Sequence, residues 1–118
     1  MSHTMNIKIE MTDKAAIIAA AKRLDLQIAK GSHRLYSSTE EGLAVFLPNW
    51  KYPIVVKGKE VAMDNYNGRW GAESELKKFQ AYYGLEKAKA EARKKGYRVW
   101  EKVNGNEIEL KIQVSGRF

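Results

Sequence analysis

Only two stretches of this chain have the periodicity of a helix, Lys14–Ile28 and Ala72–Lys95; the segments around them alternate or turn. Two helices cannot cover both faces of a sheet. The pattern therefore predicts an α+β fold: a mostly antiparallel, twisted sheet with both helical segments packed on one face. A length of 118 residues corresponds to one domain, residues 1–118. With 44% hydrophobic residues the chain can build a core without disulfides or a structural metal.

Asn6–Met11 alternates, with Ile7, Ile9 and Met11 on one side, and reads as a half-buried strand. Thr12 suits a helix N-cap before Asp13. Ile17, Ile18, Ala21, Leu24 and Ile28 then form an apolar stripe, and Lys30–Gly31 ends the helix. Arg34–Ser38, Leu43–Leu47, Tyr52–Val56 and Glu60–Met63 read as strands, with a hairpin turn at Lys57–Gly58. In the second helix Leu76, Phe79, Tyr83, Ala88 and Ala92 make the apolar face, and Gly84 in its middle predicts a kink or break. Gly96 suits its C-cap. Tyr97–Val103 and Glu107–Val114 form a hairpin across Asn104–Gly105. The strict alternation of Ile108, Leu110, Ile112 and Val114 predicts one buried face there, and Ser115–Phe118 reads as a loose end.

The composition narrows the chemistry. There is no cysteine, which excludes disulfides, thiolate metal sites and cysteine nucleophiles and fits a cytoplasmic protein. No signal peptide is visible, since the start MSHTMNIKIE is charged early, and the longest apolar stretch, Ala15–Ala21, is too short to span a membrane. The two histidines, His3 and His33, stand apart, so no metal site and no cofactor is expected; His33 reads as an exposed loop residue. Glu40–Glu41 beside Gly42 reads as a solvated turn. Phosphate-loop and dinucleotide fingerprints are absent, and no serine lies in a nucleophile elbow. No catalytic residue is assigned, and a non-enzymatic protein is the expectation.

Two surfaces stand out. The segment Asp64–Gly71, D-N-Y-N-G-R-W-G, holds two aromatics, an arginine and two glycines in a turn. Together with Trp50, Lys51 and Tyr52 it offers a candidate binding set: Trp50, Tyr52, Asp64, Tyr66, Arg69 and Trp70. Aromatic and arginine side chains are the usual anchors of protein interfaces, and Asp64 is the best single carboxylate of the chain. The second surface is basic. The net charge is +7, and residues 73–98 carry eight basic and four acidic groups. Lys87, Lys89, Arg93, Lys94, Lys95 and Arg98 form a candidate patch that could meet phosphates. Glu91, between Lys87 and Lys94, weakens that reading. The expected function is an interaction or regulatory protein that binds a protein partner; the alternative is a nucleic-acid binder using the basic second helix.

The residues also carry a resemblance. Met1-Ser2-His3-Thr4 followed by Ile7-Lys8, the Asp13–Leu24 helix, Lys57-Gly58, Asp64 with Trp70-Gly71, Phe79–Tyr83, and Glu86–Gly96 leading into Tyr97 occur in an order that spans most of the chain. In these the chain resembles the small uncharacterised proteins of hypothetical chloroplast open reading frame thirty-five, encoded in cyanobacterial and plastid genomes and in some phages. That family reads leucine–glycine where this chain has Leu24-Asp25, and tends to carry tryptophan in the turn corresponding to Val56–Lys59. The resemblance implies no catalytic residues. It makes Met1-Ser2-His3 look like the family's own beginning.

Overall fold

Alternation and turn chemistry organise the described residues into seven strands and two helices. The computed structural model describes residues 5–8, 10–104 and 107–114. The expectations placed on His3, Ile9, Gly105 and Ser115–Phe118 lie outside the described residues. Strand β1 (Met5–Lys8) leads to helix α1 (Lys14–Arg23). Strands β2 (Ile28–Arg34), β3 (Thr39–Val45), β4 (Ile54–Val56) and β5 (Glu60–Met63) follow. A 3₁₀ turn (Tyr66–Gly68), helix α2 (Glu73–Lys94) and the strands β6 (Arg98–Asn104) and β7 (Glu107–Gln113) complete the order.

The first five strands form one antiparallel sheet in the order β1-β5-β4-β3-β2. Register sets Leu43 beside Val56, Val56 beside Val61, and Val45 beside Ile54. These side chains and Met63 face both helices. They meet Ala16, Ile17, Ala20 and Ala21 of α1 and Leu76, Phe79 and Tyr83 of α2 in the main core. Each fully buried large apolar side chain there contributes about 1.5–3 kcal/mol. Ala44, Val55 and Ala62 point the other way and are also buried, under Leu35 with Tyr52 packed alongside. The consecutive Ile54-Val55-Val56 is buried on both faces of the sheet. The fold is thus α+β, with a mostly antiparallel sheet and two helices packed against it.

Several local expectations need correction. Asp13, not Thr12, caps α1: its carboxylate accepts the Ala16 N–H at 3.2 Å, and its own N–H donates to the Tyr83 hydroxyl at 3.1 Å. The helix ends at Arg23 rather than Ile28. There the Asp25 N–H donates to the Lys22 carbonyl and the Leu26 N–H to the Ala21 carbonyl, with Asp25 at φ 58°. This pattern stops a helix with a left-handed residue, usually glycine, and Asp25 fills that role here. Freed from the helix, Ile28 begins β2, which runs through Lys30 and Gly31. Only Arg34 of the expected strand Arg34–Ser38 is in a strand, as the last residue of β2; Leu35–Ser38 is the β2–β3 turn, closed by the Leu35 N–H on the Ser38 carbonyl at 2.8 Å. Ile18, expected in the buried stripe, is exposed.

A further correction concerns Gly84: α2 is an unbroken helix across it. The glycine penalty of about 1 kcal/mol is smaller than what Leu76, Phe79 and Tyr83 on one side and Ala92 on the other gain by burial in one continuous element. The last concerns β6 and β7, which among the described residues pair only with each other. Ile108 and Leu110 are half-buried, but Ile112 is 44% exposed and Val114 60% exposed. The expected buried face is only partly covered: α2 lies against part of the hairpin, and Arg23 at the end of α1 reaches it through Glu101. The molecule is elongated, 60 × 29 × 22 Å.

Candidate functional site

The turn between β5 and α2 is built from backbone angles that few residues adopt. Tyr66, Asn67 and Gly68 take φ values of 47°, 54° and 92°. An aromatic residue at positive φ is uncommon and costs about 1–3 kcal/mol. Hydrogen bonds hold the turn closed: Gly68 N–H and Trp70 N–H both donate to the Asn65 carbonyl at 2.9 Å, and Arg69 N–H donates to the Tyr66 carbonyl at 3.0 Å. The Asn65 side-chain amide donates to the Gly71 carbonyl at 3.3 Å. The Lys51 N–H donates to the Trp70 carbonyl at 2.8 Å and ties the β3–β4 connection to this turn.

The product is a ring cluster centred on half-buried Trp70. Its ring centroid lies 4.9 Å from Tyr66, 5.7 Å from Tyr52 and 5.1 Å from Tyr36. Lys51 Nζ stands 4.5 Å from the Trp70 centroid and 5.7 Å from that of Tyr52; the Arg69 guanidinium carbon stands 5.3 Å from that of Tyr66. At exposed sites such cation–ring contacts are worth about 0.5–1 kcal/mol each. Tyr52 also packs on Leu35, Ala44, Val55 and Ala62, so the cluster continues the buried layer on the sheet face away from the helices.

Of the residues singled out from sequence, Tyr52, Tyr66, Arg69 and Trp70 come together. Trp50 does not join them. It packs on the main core, lies flat against Gly71, and donates its ring N–H to the Ala72 carbonyl at 3.0 Å at the start of α2. Asp64 is 1% exposed, within the protein rather than on the surface. Tyr36, 49% exposed, belongs to the cluster and was missed. Its signal is Leu35-Tyr36-Ser37-Ser38, an aromatic in a serine-rich turn, which a strand reading conceals.

The basic patch is divided. Lys89 Nζ lies 2.6 Å from Glu101 and 3.3 Å from Glu86. Arg23 holds both oxygens of Glu101, one at 2.6 Å, and reaches Glu86 at 3.0 Å. These charges join α1, α2 and β6. The hydrogen bonds from Arg23, with those from Lys89, draw the Glu101 carboxyl down to about 2, and the Glu101 bond raises Arg23 above its ordinary value. Lys87 is half-buried, whereas Arg93, Lys94, Lys95 and Arg98 are exposed around the end of α2 and the start of β6.

Other expectations shift with the fold. Glu40 lies in β3 rather than a solvated turn. It pairs with Lys57 at 2.7 Å and accepts from Ser38 at 2.6 Å, and the Lys57 bond foremost holds its carboxyl below the ordinary range. His33 is half-buried in β2, with Nε2 3.0 Å from the Ala29 carbonyl oxygen and its ring edge-on to Phe46. Sequence also gives no sign of a groove of about 540 Å³ at the start of α1. Met11, Ile17, Leu43 and Val56 line it together with Lys14, Lys30 and Lys57, drawn from separate elements.

Among the described residues no group of three or more histidines and carboxylates could hold a metal, and no helix is long and apolar enough to cross a membrane. Compared with protein-family models, curated protein sequences and solved structures, the chain matches none.

Proposed function

We propose that the chain is a small, non-enzymatic, cytoplasmic interaction protein that binds a protein partner through the Trp70 cluster. One observation carries this reading: four rings and two cations converge at the surface on a turn whose backbone is held in uncommon angles. Tryptophan, tyrosine and arginine dominate the energetics of protein interfaces, and rigid rings lose little entropy on binding. Lys51 and Arg69 favour a partner that presents carboxylates beside an apolar side chain. We also propose membership of the chloroplast open reading frame thirty-five family. Its glycine corresponds to Asp25, whose φ of 58° is the conformation a glycine adopts without strain, which supports the alignment at its main departure.

The test is affinity capture with the immobilised chain and with Tyr36→Ala, Arg69→Glu and Trp70→Ala, each checked for folding by circular dichroism. Losing one anchor is expected to weaken the captured complex about 30-fold, the equivalent of about 2 kcal/mol. Equal recovery of partner by all folded variants would leave the cluster as architecture. Filter binding to DNA and RNA at low and near-physiological salt tests the nucleic-acid reading, which the exposed Arg93, Lys94, Lys95 and Arg98 support. Retention that falls steeply with salt and disappears in Lys94→Glu would put that reading first.

A further inference from the structure

The hairpin of β6 and β7 is a second surface, unrelated to the Trp70 cluster. A two-stranded ribbon is only marginally stable in water, and an open strand edge is a template for pairing. Among the described residues the outer edge of β7 pairs with nothing. Its sequence is self-complementary about Leu110. The residues on either side, Glu109 and Lys111, are opposite in charge, and the next pair, Ile108 and Ile112, is identical.

We infer that this edge pairs with β7 of a second copy of the chain, antiparallel, with Leu110 facing its equivalent on a two-fold axis. In that register Glu109 of each copy faces Lys111 of the other, and Ile108 faces Ile112. Opposite charges directly across a ladder stabilise it; like charges destabilise it. Moving the two-fold axis to Glu109 sets that carboxylate against its own copy, and moving it to Lys111 opposes two ammonium groups. A slip of a single residue sets the apolar face of one hairpin beside the polar face of the other. The charges therefore select one register.

The result is a four-stranded antiparallel sheet. On one face Val99 and Ile112 continue into Ile108 of the second copy, which covers the exposed Ile112. On the other, the intrachain pairs Trp100–Lys111 and Lys102–Glu109 meet across the two-fold axis. Lys111 then lies between Trp100, 50% exposed, and Glu109 of the second copy.

Light scattering on the full chain is expected to give twice the 13.5 kDa of one chain, falling to that mass on dilution. The chain has no cysteine, so Leu110→Cys places a single thiol on the two-fold axis, where mild oxidation is expected to link two chains. Glu109→Lys and Lys111→Glu, each alone, put like charges across both contacts and are expected to raise the dimer Kd about tenfold or more. Mixed in equal amounts, the two variants present opposite charges at both contacts, and a heterodimer is expected to form. A monomer at all concentrations overturns the proposal, as do a dimer indifferent to both charge reversals and a mixture that stays monomeric. If a reversal fails to fold by circular dichroism, the wild-type mass and the Leu110→Cys link still decide.

Discussion

At Gly71 the backbone lies against the face of Trp50, and a methyl group there would sit 2.2 Å from one ring atom and 2.5 Å from another. This contact fixes the chain between the Trp70 turn and α2. Gly71→Ala is expected to force the indole aside and cost about 1–3 kcal/mol, read by urea unfolding. Tryptophan fluorescence is expected to shift with it. Unchanged stability would show that the ring is not held there. Tyr66, Arg69 and Trp70 were legible because they stand together in one glycine-containing turn. The separation of Trp50 from Trp70 was not legible, because two rings of the same type differ only in which layer each is folded against.

The same contrast between glycines operates within α2. A Cβ added at Gly84 meets nothing within 4 Å, and the helix continues through it without a break. Gly84→Ala is therefore expected to stabilise the protein by about 0.5–1 kcal/mol, measured by thermal or urea unfolding. A loss of stability would mean that the helix needs its freedom there. Both helices stop in one way, at Asp25 and at Gly96, with matching pairs of backbone hydrogen bonds. Gly96 was legible as a stop and Asp25 was not, since aspartate enters the left-handed region less often than glycine. That one residue moved the end of α1 and the whole of β2.

Across the molecule, Arg23, Glu86, Lys89 and Glu101 are the charged tie between the helices and the hairpin. The Glu101 carboxyl titrates at about 2 against an ordinary 4.5, so its contribution is complete above 4.5 and is lost as pH falls towards 2. Hydrogen-exchange protection in β6 and β7, taken against the intrinsic rate at each pH, is expected to fall in that window before protection in the large sheet does. Glu101→Gln is expected to remove the step by weakening the hairpin at neutral pH. Identical exchange profiles for the two proteins would show that the ion pairs do not tether the hairpin.

Sequence alone determined the α+β class, the antiparallel sheet, the hairpin β4–β5 and the span of α2, because these follow from local alternation, helical periodicity and turn residues. It also marked the Asp64–Gly71 turn by composition. Tertiary structure decided what periodicity cannot encode: that Tyr36 joins Trp70, that Lys89 is committed to Glu86 and Glu101, and that Ile112 stays exposed although its strand alternates cleanly. Alternation states which side chains share a face. Whether anything lies against that face depends on contacts between residues distant in sequence.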